Sequence, residues 1–191
     1  MNSTYMTDPV VFLINTLFTL YISAVLLRFL LQYFGADFYN PISQFLIKIT
    51  HPPLKILRRF VPAVKKLDTA SLVLAFVLQL MAYFFISLLK GISVGIAALA
   101  MFSLAELVEL LLNIFVFAVF VRALLSWINP GDFNAASSIL VSLTEPLLNI
   151  CRKFIPDMGG IDLSPLIVLL LLQLAKMVLL PPLHSLASLV S

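Results

Sequence analysis

The chain has 191 residues, of which 62% are hydrophobic and only 11% charged, and its mean hydropathy is +1.11. A soluble core of this length cannot bury so much apolar surface, which excludes a water-soluble globular domain and implies an integral membrane protein. The net charge of +3 gains meaning only from its placement, and the lone Cys151 excludes an intrachain disulfide and offers no metal-ligand spacing.

The first apolar stretch, about residues 9–34, is long enough to cross about 30 Å of hydrocarbon. Thr7-Asp8-Pro9 offers a capping side chain followed by proline at a first helical position. No positive residue precedes the stretch and no small-x-small site follows it, so it reads as a retained anchor, not a cleaved signal peptide. Arg28 lies five or six residues before its end, about 9 Å inside at 1.5 Å per residue. Arginine there is compatible with snorkelling to lipid phosphates, pairing with an acid of the protein, or contact with a substrate.

Residues 35–69 form a loop too long to be a plain connector. Turn chemistry opens it at Asp37-Phe38-Tyr39-Asn40-Pro41. Ile42, Phe45, Leu46 and Ile49 then stand at helical spacing, opposite Ser43, Gln44 and Lys48. Pro52-Pro53 is expected to break this helix, and a second segment puts Leu54, Leu57 and Val61 opposite Lys55, Arg58 and Arg59 until Pro62 ends it. Such amphipathic segments lie in the membrane interface. Lys55, Arg58, Arg59, Lys65 and Lys66 are candidate contacts to anionic lipid. Because these charges sit among Ile, Leu, Phe and Val, nucleic acid is not an expected partner.

Asp68 precedes the second stretch, about residues 70–91, and reads as a helix cap or as the partner of Arg28 or Arg58. Gln79 lies mid-span, and Lys90 near the outer end is expected to snorkel. A third stretch covers about residues 104–127, where Ser103 and Glu106 have capping-box spacing and Glu109 lies one turn deeper, in a dipole or ion-pathway role. It carries Asn113 and Arg122. The loop 128–164 repeats the earlier plan: turn residues through Asn134, then Ile139, Leu140 and Leu143, then Leu147, Leu148, Cys151 and Arg152. Gly159-Gly160 stands where Lys65-Lys66 stood. Asp162 precedes the fourth stretch, about residues 165–183, which holds Gln173 and Lys176 and is expected to end or kink at Pro181-Pro182.

These elements repeat. Shifted by 94 residues, Arg28–Leu80 aligns with Arg122–Leu174 without a gap, and 18 of 53 positions are identical. Apolar matches are cheap in such a chain. The polar and proline matches are not: Arg28/Arg122, Asn40/Asn134, Ser43/Ser137, Thr50/Thr144, Pro52/Pro146, Arg58/Arg152, Pro62/Pro156, Asp68/Asp162 and Gln79/Gln173. The expected fold is therefore an all-α membrane protein, with four transmembrane helices as two repeats over residues 1–97 and 98–191. The long loops hold eight Lys and Arg residues against at most Lys90 on the other side, which puts both loops in the cytoplasm and both termini outside. Two spans separate the repeat starts, so the repeats are parallel.

No Ser/His/Asp grouping, Cys/His metal spacing or phosphate-cradling glycine loop is present, so neither an enzyme nor a cofactor is expected. The candidate polar sites are Arg28, Arg122, Asp68, Asp162, Asn40, Asn134, Arg58 and Arg152, with the pairs Arg28/Asp68 and Arg122/Asp162 favoured by similar depth. Two function classes remain: an interaction or membrane-organising protein, and a small transporter or channel component. The first is favoured, because the spans offer few midplane polar groups. Expected partners are anionic lipids and a membrane protein or second copy of the chain.

Asp37-Phe38-Tyr39-Asn40-Pro41, Pro62 followed by Asp68, and Ile155-Pro156-Asp157-Met158-Gly159-Gly160-Ile161-Asp162-Leu163-Ser164-Pro165 together resemble the YggT family of bacterial inner-membrane proteins. The likeness covers nearly the whole chain, and the first copy, without Gly-Gly and Ser-Pro, is the more divergent. The resemblance implies a bacterial inner-membrane protein. It also carries associations with osmotic-stress tolerance, with cell division genes, and with nucleoid and cytochrome-complex organisation in plastids.

Overall fold

The computed structural model describes residues 3–64, 67–128, 134–153 and 162–189. Among these the chain forms six helices: α1 (Ser3–Tyr33), α2 (Pro41–Leu57), α3 (Thr69–Lys90), α4 (Ile96–Ile128), α5 (Ala135–Arg152) and α6 (Ser164–Leu189). Four are long and apolar enough to cross a membrane, over Asp8–Tyr33, Thr69–Lys90, Ile96–Ser126 and Ser164–Leu189. They pack as two pairs, α1 on α3 and α4 on α6, joined through α3 and α4. One buried cluster holds Ile22, Val25 and Leu26 of α1, Leu54 of α2, and Leu74 and Ala75 of α3. The other joins Phe29 and Leu30 to Phe115 and Val119 of α4, Leu143 and Leu148 of α5, and Val168 of α6. Apolar residues also face outward, including Phe12, Leu17 and Leu20 of α1 and Leu170, Leu171 and Leu174 of α6. Hydrocarbon is the solvent such a surface suits.

The helices run further than the sequence signals suggest. α1 starts at Ser3 and takes Pro9 inside it, so Thr7-Asp8 is not its cap. α4 starts at Ile96, and Ser103 is buried mid-helix, donating to Leu99 O at 2.7 Å. The capping box of Ser103 and Glu106 is thus overturned: the Ala-rich run Ile96–Met101 extends the helix before it. α6 continues through Pro181-Pro182 to Leu189. α3 ends as a helix with a C-terminal glycine should, at Gly91 with φ of 65°, whose N–H donates to Leu88 O.

Pro52-Pro53 does not break α2. Proline 53 has no N–H for the carbonyl of Ile49, and Tyr21 of α1 supplies the missing donor, its hydroxyl lying 3.1 Å from Ile49 O. The turns of α2 and α5 that face inward carry Leu46, Thr50 and Leu54, and Ile139, Leu143, Thr144, Leu148 and Cys151. Phe45, expected on the apolar side, is 60% exposed.

Candidate functional site

α2 and α5 are fastened to the spans by arginines. Near the end of α1, Arg28 Nη1 donates to Thr50 Oγ1 of α2 at 2.8 Å and to Ile47 O at 3.5 Å. Near the end of α4, Arg122 Nη1 donates to Thr144 Oγ1 of α5, also at 2.8 Å. Both threonines pass their own proton to a carbonyl one turn back, Leu46 O and Leu140 O, at 2.6 Å. A hydroxyl so placed presents its lone pairs to the guanidinium, which is why threonine suits this position.

The loop aspartates bond elsewhere than depth alone suggests. Asp68 Oδ2 pairs with Arg58 Nη2 and accepts from Ser71 Oγ at 2.7 Å. Asp162 Oδ2 pairs with Arg152 Nη2 at 2.7 Å, while its Oδ1 accepts the Ser164 N–H at 2.9 Å. The expected direct pairs Arg28/Asp68 and Arg122/Asp162 are therefore not formed. The chain after α2 doubles back through mutual Val64 and Leu67 backbone bonds, which carries Asp68 to the end of its own loop helix. Asp162 combines cap and ion pair, whereas Asp68 makes no backbone cap bond.

The second half contains one acid the sequence reading left out. Glu145 pairs with Arg122 Nη2 and, through Oε1, with Arg152 Nη1 at 3.0 Å. Thr144, Arg122, Glu145, Arg152 and Asp162 thereby form one continuous chain of polar contacts. Position 51, 94 residues earlier, is histidine, and it is exposed. A mismatch beside a matched threonine was the available signal.

Charge follows geometry. Burial pushes the Asp68 carboxyl up, but the bonds from Arg58 and Ser71 and the Arg58 charge outweigh it and hold the group below the usual carboxylate range. Glu145 and Asp162 are likewise raised by burial and lowered further by their arginines, ending below their ordinary values. The bond to Asp162, foremost, raises Arg152.

Asn40 and Asn134 cap α2 and α5, accepting from Ile42 N and Ser137 N at 2.9 Å. Asn40 also donates through Nδ2 to Ala135 O at 2.7 Å, so the cap of one loop helix holds the first residue of the other. Lys55 and Arg59 are exposed, while Lys65, Lys66 and Gly159-Gly160 lie outside the described residues.

A separate polar group sits within the spans. Lys176 of α6 lies 2.8 Å from Asn113 Oδ1 and 3.3 Å from Glu109 Oε1 of α4. It is paired, not merely snorkelling, and Glu109 has a cation for a partner. Tyr83 of α3 donates to Glu106 at 2.9 Å. Gln79 is buried and Gln173 exposed, and neither bonds across helices among the described residues.

The CCB3/YggT family model matches residues 7–89 and again residues 101–183. The chain belongs to the CCB3/YggT family. It is 38% identical over 173 residues to the uncharacterized protein YggT of Escherichia coli K12, covering 89% of this chain and 88% of that one. An uncharacterized protein of Pseudomonas aeruginosa is 41% identical over 169 residues, covering 87% and 86%. YlmG homolog protein 2, chloroplastic, of Arabidopsis thaliana is 44% identical over 62 residues, 32% of this chain and 24% of its own. No solved structure matches the chain. The family and the four apolar helices together describe a multi-pass membrane protein.

Proposed function

We propose that this CCB3/YggT protein is a non-enzymatic scaffold of the bacterial inner membrane. It is built as two parallel repeats, and its cytoplasmic loop helices dock a membrane-protein partner or a second copy and organise anionic lipid. The observation that carries the reading is the joining of α2 to α5. Each is bonded to its own span by the same arginine–threonine contact, and Asn40 ties the one to the other. Fastened amphipathic helices form a preorganised surface, and preorganisation lowers the entropy cost of binding. The excess of Lys and Arg in the long loops supports their cytoplasmic placement. A role in osmotic tolerance or division fits such a scaffold.

Mild extraction from native membranes, with crosslinking through α2 or α5, tests the reading. A stoichiometric protein partner or a homo-oligomer is expected, lost when Asn40→Ala frees α2 from α5. A monomer with no crosslinked neighbour would count against it. An export-dependent reporter after Ser191 should be active, and an inactive one, stably made, would overturn the topology.

The transport reading has one observation in its favour: Lys176, Glu109 and Asn113 form a polar cluster within the spans. Solute flux through liposomes of pure protein, abolished by Lys176→Met, would replace the scaffold reading.

A further inference from the structure

The two halves share a scaffold but not a charge balance. In the second half, Arg122 and Arg152 face two carboxylates, Glu145 and Asp162. In the first half, Arg28 and Arg58 face one, Asp68, and Arg58 takes it. No acid among the described residues lies within ion-pair distance of Arg28. Yet Arg28 is only 8% exposed. Its hydrogen bonds to described residues run through Nη1 alone, which leaves Nη2 and Nε without a partner among them. Asp68 acts on Arg28 only through space while it is bonded to Arg58, so two guanidinium groups have one carboxylate between them, and neutralisation is closed to arginine, which does not deprotonate.

The same arginine opens on space. A cleft of about 480 Å³ is lined by Arg28, Gln32, Phe38, Arg58, Val61 and Asp68. Arg28 and Gln32 come from the end of α1, Arg58 from the end of α2, and Asp68 from the start of α3. Two guanidinium groups supply donors in the planar forks that match phosphate oxygens, and the Gln32 amide adds a further donor. Asp68 does not cancel this, because Arg58 and Ser71 already engage it. The three charges sum to one excess positive. The volume leaves room for a substituent beyond the phosphate itself.

We propose that this cleft of the first half is an anion site that takes a phosphate group, with Arg28 as its principal ligand, and that Glu145 fills the corresponding role in the second half with a carboxylate of the protein itself. The site stands on the charge difference between the halves, so it holds or fails independently of the partner sought above. The phosphate can be that of an anionic lipid headgroup or a free phosphate.

Protein purified in neutral detergent is titrated with inorganic phosphate in one arm and with dioctanoyl phosphatidylglycerol in the other, with dioctanoyl phosphatidylcholine as control. Thermal unfolding and native mass spectrometry read the binding. Stabilisation by phosphate alone assigns a free phosphate, and stabilisation by phosphatidylglycerol alone assigns a headgroup. His51→Glu places a carboxylate at the position of Glu145 and should weaken the response by about tenfold while the protein stays folded. Gln44→Glu makes the same charge change on the exposed side of α2 and should leave the response within about twofold. Three results would overturn the site: no response to either probe, an equal response to phosphatidylcholine, or equal weakening by both variants.

Discussion

Arg28 and Arg122 hold equivalent threonines, Thr50 and Thr144, at the same distance, yet among the described residues only Arg122 has a carboxylate within ion-pair distance. What the halves have in common is mechanical: a span arginine grips a loop helix, and a loop arginine grips the aspartate that leads into the next span. Among the differences, the one beside the matched threonines is histidine at 51 against glutamate at 145. The two halves thus share the contacts that hold helices together while differing in the charge beside them.

The comparison can be broken most severely at the aspartates. Asp68 is 2% exposed and Asp162 36%. Asp68→Asn should strand Arg58 and cost about 2–3 kcal/mol of stability, while Asp162→Asn costs about 1 kcal/mol, since a wet pair contributes less. Thermal unfolding in detergent measures both, and equal losses would deny the difference in burial its role.

Glu145 comes next. Glu145→Gln removes the counter-charge of two arginines and should cost about 1–2 kcal/mol, whereas His51→Gln should stay within about 0.5 kcal/mol. The same asymmetry should appear with pH. Glu145 and Asp162 have carboxyls held below their ordinary values. Their contribution is full above the unfolded carboxylate range near pH 4 and is lost as pH falls through the lower folded values. Unfolding temperature should therefore drop on acidification below about pH 4, and by less in the double variant Glu145→Gln/Asp162→Asn. The smallest effect tests what the halves share: Thr50→Val and Thr144→Val should each cost about 1 kcal/mol, and similarly.

Much of this was legible in the sequence, for physical reasons. Twenty-residue apolar runs have few alternatives to spanning helices, so all four appeared; the Arg and Asp matches gave candidate site residues, whereas Thr50 and Thr144 stood only as repeat matches. Helix ends were less legible. Pro9, Pro52-Pro53 and Pro181-Pro182 read as starts or stops, yet each lies within a helix. A freed carbonyl can be satisfied by a distant donor, as Tyr21 does for Ile49, and nothing local announces it. Pairing by depth misassigned Asp68 because the return of the chain at Val64 and Leu67 brings it to Arg58. Repeat matching draws the eye to identities, and Glu145 and Lys176 matter at positions where the copies differ.

The most direct test puts the missing carboxylate into the first half and asks whether Arg28 responds. The stability of His51→Glu is compared with wild type, and again in an Arg28→Gln background. The expected result is a gain of about 1 kcal/mol with Arg28 present and none without it. A gain that survives removal of Arg28, or no gain in either background, would contradict the claim that Arg28 lacks the counter-charge that Glu145 gives Arg122.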